Sequence, residues 1–243
     1  VLNIDIDDFL RNGFAIVDNV ISLQSASALA LALGRPQESD SVRNRNGVFA
    51  IRNLLEISPE VMDFAQSSAV RRLVEPILGP SFIAVRSILF DKIPGANWTV
   101  PWHQDLTIAV KERIEVEGFG PWSVKAGIQH VQPPAEVLEQ MVSVRLHIDE
   151  CSADNGALRV LPGTHLLGRI PKKVIPAVRK DVREQICPVP VGGAMLMRPL
   201  LLHASSPSLT PGHRRVIHID YSAATLPGGL MWYEAQERET EPI

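Results

Sequence analysis

The chain has 243 residues, 45% of them hydrophobic, and a formal net charge of −3. That is enough apolar material for a substantial core. With no run of basic residues, it argues against nucleic acid or an anionic membrane surface as the main partner.

No apolar stretch is long enough to span a bilayer. The opening "VLNIDIDDFL" is acidic and amphipathic rather than leader-like. Two cysteines, Cys151 and Cys187, exclude a disulfide framework and favour a reducing, cytoplasmic setting.

In chain order, "ISLQSASALALALG" predicts a helix with Ser22 as N-cap and Gly34 as its stop. "SVRNRNGVFAIRNLL" reads as a loop with a short strand. "SPEVMDFAQSSAVRRLVEPILG" predicts helix again: Ser58 caps it, Pro59 opens it, Gly79 ends it, and Ser67–Ser68 divide it in two. From residue 82 the period changes. "FIAVRSILFDKI" is rich in β-branched and aromatic residues and predicts a strand. Further strands are expected at Val142–Ile148, Ala157–Leu161, Ala194–Met197, Leu201–Ala204 and Arg214–Tyr221. Asn155-Gly156 suggests a hairpin turn and Gly192-Gly193 another tight turn. Nineteen scattered prolines punctuate short elements. Helices first and many strands afterwards predict a mainly β chain with flanking helices, an antiparallel sandwich or barrel. Without repeats or linkers, one domain over 1–243 is expected: 1–80 mostly helical support, 81–225 the β core, 226–243 a tail.

The stretch "PWHQDLTI", 101–108, places a histidine and a carboxylate two residues apart in a β-prone context. Residues i and i+2 of a strand share a face. His103 and Asp105 are therefore expected on one side, with Trp102 and Gln104 on the other. The pattern alone is weak, because His147-Ile148-Asp149 and His218-Ile219-Asp220 repeat it. Two histidines and a carboxylate on one face of Fe(II) leave positions for substrates and O2, but need a third ligand from elsewhere. His218 has no histidine after it. His147 has His165 or His203 as a partner, and His103 has any later histidine, including His203 in "LLLHASSPS".

Three segments, "WHQD" (102–105), "ADNGALRVLPGTH" (153–165) and "LLHASSPSLTPGHRR" (201–215), resemble the phytanoyl-CoA dioxygenase family in order and spacing. The likeness covers most of the chain from about residue 80. It implies a double-stranded β-helix, a cupin-like jelly-roll barrel with the N-terminal helices packed on it. It further implies an Fe(II)- and 2-oxoglutarate-dependent dioxygenase that consumes O2 and hydroxylates a C–H bond of a small molecule, releasing succinate and CO2. His103, Asp105 and His203 become the metal ligands. Ser205 and Arg214 would hold the distal carboxylate of 2-oxoglutarate. Arg214 is favoured over Arg215 by its distance from His203, and because Arg215 shares a face with Ile217 and Ile219. Asp105 favours hydroxylation over halogenation, since related halogenases carry a small residue there.

Charge counting gives Arg214 a reason: iron, Asp105 and 2-oxoglutarate together leave a net negative charge in a dry cavity, which one guanidinium balances. Arg145 stands where many relatives carry a tryptophan, and would place positive charge beside 2-oxoglutarate or an acidic substrate. Ile88 would line the same pocket by resemblance. Substrate-contact candidates are Arg86, His147, Arg52 with its neighbour Asn53, and Trp122, Lys125 and His130. The last three lie in a long segment after Asp105 that reads as an irregular lid. The arginines hint at an anionic metabolite, and no Gly-rich phosphate loop or basic cluster marks a CoA site. The alternatives are a jelly-roll metal enzyme without 2-oxoglutarate, and a non-catalytic β-sandwich.

Overall fold

The computed structural model describes residues 4–34, 42–44, 48–93, 97–209 and 212–235; the side chains of 42–44 and 48–49 are not described. Part of the "SVRNRNG" stretch and residues 236–243 of the expected tail therefore lie outside the described residues.

Among the described residues there are seven short helices, five of them before residue 80: α1 (Ile6–Asn12), α2 (Leu23–Leu33), α3 (Leu54–Ile57), α4 (Pro59–Ala65), α5 (Ser68–Leu78), α6 (Ala135–Glu139) and α7 (Ile175–Asp181). The expected caps are in place. Ser22 accepts from the Ser25 amide, Ser58 from Val61 and Ser67 from Val70, each satisfying an otherwise orphaned N–H. Ser67 does divide the second helical stretch.

The strands are β1 (Phe14–Val17), β2 (Val42–Asn44), β3 (Val48–Arg52), β4 (Ile83–Asp91), β5 (Val100–His103), β6 (Ile108–Val110), β7 (Trp122–Lys125), β8 (Ile128–Val131), β9 (Met141–His147), β10 (Leu158–Val160), β11 (Gln185–Cys187), β12 (Ala194–Met197), β13 (His203–Ser205) and β14 (Arg215–Ser222). They build an antiparallel seven-stranded sheet in the order β1-β12-β9-β14-β4-β3-β2 and a four-stranded sheet β11-β10-β13-β5. This is the two-sheet, helix-backed architecture of the double-stranded β-helix.

The alternation of the large sheet decides what lies where. Val142, Val144 and Leu146 of β9, with Ile217, Ile219 and Tyr221 of β14, face α2, α4 and α5. They form the main apolar cluster with Leu29, Val61, Phe64, Val70 and Leu73. Truncating Leu146, fully buried there, to alanine is expected to cost about 2–5 kcal/mol in denaturant unfolding. The intervening residues face the opposite way, and many are polar or charged: Arg86, Ser143, Arg145, His147, His218 and Asp220. One cross-strand row runs Arg52, Ile88, His218, Arg145, Met195.

Three expectations need correction. Asn155-Gly156 does not join two paired strands. It closes a 3-10 turn, Ala153–Asn155, and β10 then pairs with β11 and β13 instead of β9. Leu201 and Leu202 precede β13, which begins at His203. The segment after Asp105 is not irregular: β6, β8 and β7 form a third antiparallel sheet in it, packed through Ile108, Val110, Val131 and Phe119 onto Leu138 and Trp232.

Near the end of the described chain, the buried Glu234 carboxylate receives hydrogen bonds from the Ser87 amide and hydroxyl and from the Leu55 amide at 3.1 Å, tying α3 to β4. Burial pushes its pKa up, to about 7, against these hydrogen bonds. The folded chain therefore keeps a proton that the unfolded chain loses near pH 4.5, and stability falls as pH rises between those values. The stability of E234Q relative to wild type is expected to improve by roughly 2–3 kcal/mol from pH 4.5 to 8 in urea melts. A flat difference would show that folding leaves the Glu234 pKa unshifted. No helix among the described residues is long and apolar enough to cross a membrane.

Candidate metal centre and anion pocket

β5 and β13 are antiparallel neighbours with His203 directly opposite His103. Their ring centroids lie 4.2 Å apart. β5 ends at His103, so Asp105 is not a strand residue as parity had suggested. Its amide donates to the Pro199 carbonyl at 2.9 Å, which turns the side chain back toward the two rings. Between them, Gln104 faces away as expected. Its amide group donates to the carbonyls of Gly168 (2.8 Å) and Leu200 (2.6 Å), and its oxygen accepts from the Ile170 amide at 2.8 Å.

The imidazoles are set up as ligands. His103 Nδ1 donates to the Pro101 carbonyl and His203 Nδ1 to the Leu201 carbonyl, each at 2.9 Å. Those bonds fix the tautomer and leave both Nε2 lone pairs pointing inward. Each Nε2 lies 3.7 Å from an Asp105 oxygen, and one ligand atom from each of the three residues falls within 4.8 Å of the others. Small shifts would bring all three onto one ion at about 2.0–2.2 Å. Among the described residues this is the one cluster of three or more such side chains with that spacing.

Electrostatics agree. Burial pushes the His203 pKa down to about 4, although Asp105 pulls the other way, so the ring is neutral and able to bind metal at physiological pH. Burial would raise Asp105, but His203, His103, His218 and Arg86 outweigh it and hold it near 2. The His203 side chain is only 4% exposed, whereas His103 is 35% and Asp105 26% exposed. The cluster is thus open to solvent on its His103–Asp105 side.

The other two HxD triplets hold no metal geometry, but neither is idle. Asp149 makes a paired salt bridge to Arg215, at 2.8 Å from both Nε and Nη2. That confirms Arg215 faces away from Arg214. His147 is buried and held neutral by burial and by Arg145 and Arg214; no ion pairs it with Asp149 among the described residues. In the third triplet, Arg145 donates to His218 Nδ1 at 2.9 Å, so the ring proton sits on Nε2 and reaches Asp220 at 2.9 Å. Asp220 also accepts from Ser143 and from Arg86, both at 2.6 Å. Arg86 is therefore neutralised inside the protein rather than offered to a substrate, which corrects its expected role. The triplet that seemed incidental tethers Arg145.

Beside this tether lies a cluster of buried cationic side chains. Arg214 donates through Nη1 to the Gly156 carbonyl and to Cys151 Sγ at 3.3 Å, and its Nε has no hydrogen-bond partner. The Nε of Arg145 is likewise buried without one. Arg145 also stacks over Phe90 at 5.7 Å. Gly156, at φ +71°, lies against the pocket wall: a Cβ there would come within 2.7 Å of the Ser206 carbonyl and 3.3 Å of Lys92 Nζ. Ser205 is buried, and its hydroxyl accepts from Lys92 at 3.2 Å. Lys92 escaped the sequence reading. Its signal was the continuing two-residue period of Ile88, Phe90 and Lys92 past the end of β4.

The weaker candidates are placed as follows. Arg52 pairs in register with Ile88. Lys125 donates to Thr107 Oγ1 at 3.2 Å, while Trp122 lies under Arg113 with its indole nitrogen buried. His130 is buried, and its Nδ1 hydrogen-bonds the Ile128 carbonyl. Trp122 and His130 act as packing residues of the third sheet.

A helix-backed double-stranded β-helix with two imidazoles and a carboxylate converging between its sheets defines the class of non-haem iron, 2-oxoglutarate-dependent oxygenases. The phytanoyl-CoA dioxygenase (PhyH) family model matches residues 9–216, and the chain belongs to that family, whose members use Fe(II), 2-oxoglutarate and O2. Solved structures agree in fold. AviO1 from Streptomyces viridochromogenes Tue57 has 22% identity and a TM-score of 0.66, over 92% of this chain and 95% of its own. EctD from S. alaskensis, solved with 2-oxoglutarate and 5-hydroxyectoine, has 17% identity and a TM-score of 0.69, over 89% and 74%. The non-haem alpha ketoglutarate-dependent carbocyclase SnoK from nogalamycin biosynthesis has 14% identity and a TM-score of 0.65, over 89% and 82%. No curated protein sequence matches the chain.

Proposed function

We propose that this protein is a cytoplasmic, single-domain hydroxylase acting on a C–H bond of a small, negatively charged metabolite, with release of succinate and CO2 from 2-oxoglutarate. His103, Asp105 and His203 would hold Fe(II). Arg214, Ser205, Ile88 and Arg145 would receive 2-oxoglutarate. The observation that carries the reading is the juxtaposition of three converging metal donors with a cluster of buried cationic side chains. When bound, iron and 2-oxoglutarate supply the O2 activation needed to oxidise an unactivated carbon.

The chain's own residues supply the rest. The two Nδ1–H bonds aim the imidazoles, Asp105 adds one negative charge, and the buried guanidinium of Arg214 offers two parallel N–H groups to a carboxylate. Hydroxylation is favoured over halide transfer because Asp105 supplies a third, anionic donor where a halogenating relative would carry a small residue. Buried positive charge beyond what 2-oxoglutarate requires favours an anionic substrate.

The decisive experiment supplies the purified protein with Fe(II), 2-oxoglutarate and O2 and quantifies succinate. Metal- and O2-dependent succinate formation is expected. Its absence, with iron bound, would favour a jelly-roll metal enzyme that does not use 2-oxoglutarate.

A further inference from the structure

Lys92 follows β4 directly, and its amide donates to the Arg214 carbonyl at 3.3 Å, so the two cations sit side by side at the end of β4 and β14. The side chain is 1% exposed. Its ammonium donates to Ser205 Oγ at 3.2 Å and to the Ser206 carbonyl, and stands 5.7 Å from the Trp98 ring centroid. Among the described residues, no carboxylate lies within ion-pair distance of Lys92, Arg214 or Arg145. Three neighbouring cations are thus buried with no carboxylate in direct contact. Burying even one uncompensated charge costs several kcal/mol, so the arrangement requires an anion from outside.

We propose that Lys92 is a binding and specificity residue of the co-substrate site, gripping the distal carboxylate of 2-oxoglutarate together with Arg214. This rests on the assignment of the pocket to 2-oxoglutarate given above. The geometry gives Ser205 a defined part. By accepting from Lys92, its oxygen is committed, and its own proton is left to donate to a carboxylate between the two cations. A site with an ammonium, a guanidinium and an oriented hydroxyl selects a diacid over the same keto acid without its far carboxylate. Burial, with Arg214 and Arg145 nearby, holds the Lys92 pKa down near 8, consistent with a cation awaiting its counter-ion.

The test compares anaerobic Fe(II)-loaded wild type with Lys92→Met. Calorimetry measures affinity for 2-oxoglutarate and for 2-oxopentanoate, which has the same chain without the distal carboxylate. Thermal melts follow the protein without ligand. We expect K92M to bind 2-oxoglutarate about 10- to 100-fold more weakly, the range for losing one charge-assisted hydrogen bond at a buried site. Its affinity for 2-oxopentanoate should not change, and its ligand-free Tm should rise because a buried charge is gone. Lys92→Gln, which keeps a donor for Ser205, carries the same affinity expectation should the methionine variant fail to fold.

An unchanged ratio of the two affinities would overturn the role of Lys92 while leaving the co-substrate assignment intact. Wild-type protein that binds no 2-oxoglutarate would overturn both.

Discussion

Asp105→Ala is expected to abolish iron-dependent succinate formation, a loss of at least ~1,000-fold, with Fe(II) binding reduced to background in anaerobic titrations. The carboxylate is the only anion among the three converging donors. Without it two neutral imidazoles remain, which form a far weaker site for a hard divalent ion. The same substitution should leave the ligand-free protein folded, with a stability loss of only about 1–3 kcal/mol from the charge contacts that hold the Asp105 pKa down. The closest cationic or metal-ligating atoms to the Asp105 side chain are histidine nitrogens at 3.7 Å, too far for a strong hydrogen bond. Removing the carboxylate therefore costs the apo fold far less than it costs iron binding. A variant that lost turnover while still binding Fe(II) as wild type does would remove Asp105 from the ligand set. Equal loss of stability and activity would make it a structural residue.

Arg214→Lys should raise the KM for 2-oxoglutarate by about 100-fold while Fe(II) affinity stays unchanged, the scale expected when a paired, buried charge-assisted contact is lost. The guanidinium spends Nη1 on Gly156 and Cys151 and still presents further N–H groups. An ammonium on a shorter reach cannot do both. Arg215→Lys supplies the control. Its side chain points away and is engaged with Asp149, so the KM for 2-oxoglutarate should not move. If both variants behaved alike, the anion pocket would lie elsewhere.

Much of this site could be read from the chain because its spacing is local. Two-residue periodicity placed Gln104 opposite His103 and set Arg214 apart from Arg215. Caps written in serine and proline located α2, α4 and α5, while the short α1, α3, α6 and α7 went unread. The failures have a common cause: long-range pairing overrides short-range pattern. The Asn155-Gly156 pair has the chemistry of a hairpin, but β10 finds its partners in β11 and β13, some 25 and 45 residues onward. Asp105 reaches the histidines through a backbone bond to Pro199 that no local rule announces. Arg86 looked available until Asp220, 134 positions later, closed on it. Lys92 was overlooked because a lysine at a strand end is ordinarily solvated. Its burial follows from the packing of β13, the residues just after it and Gly156 over it.

Gln104 joins two stretches of backbone that are remote in sequence, 168–170 and Leu200. Its neighbour Asp105 is bonded to Pro199. The turn at 168–170 therefore acts as a lever on the donor atoms without touching any of them. Library designs that treat that turn as inert scaffolding would be altering the bite of the chelate.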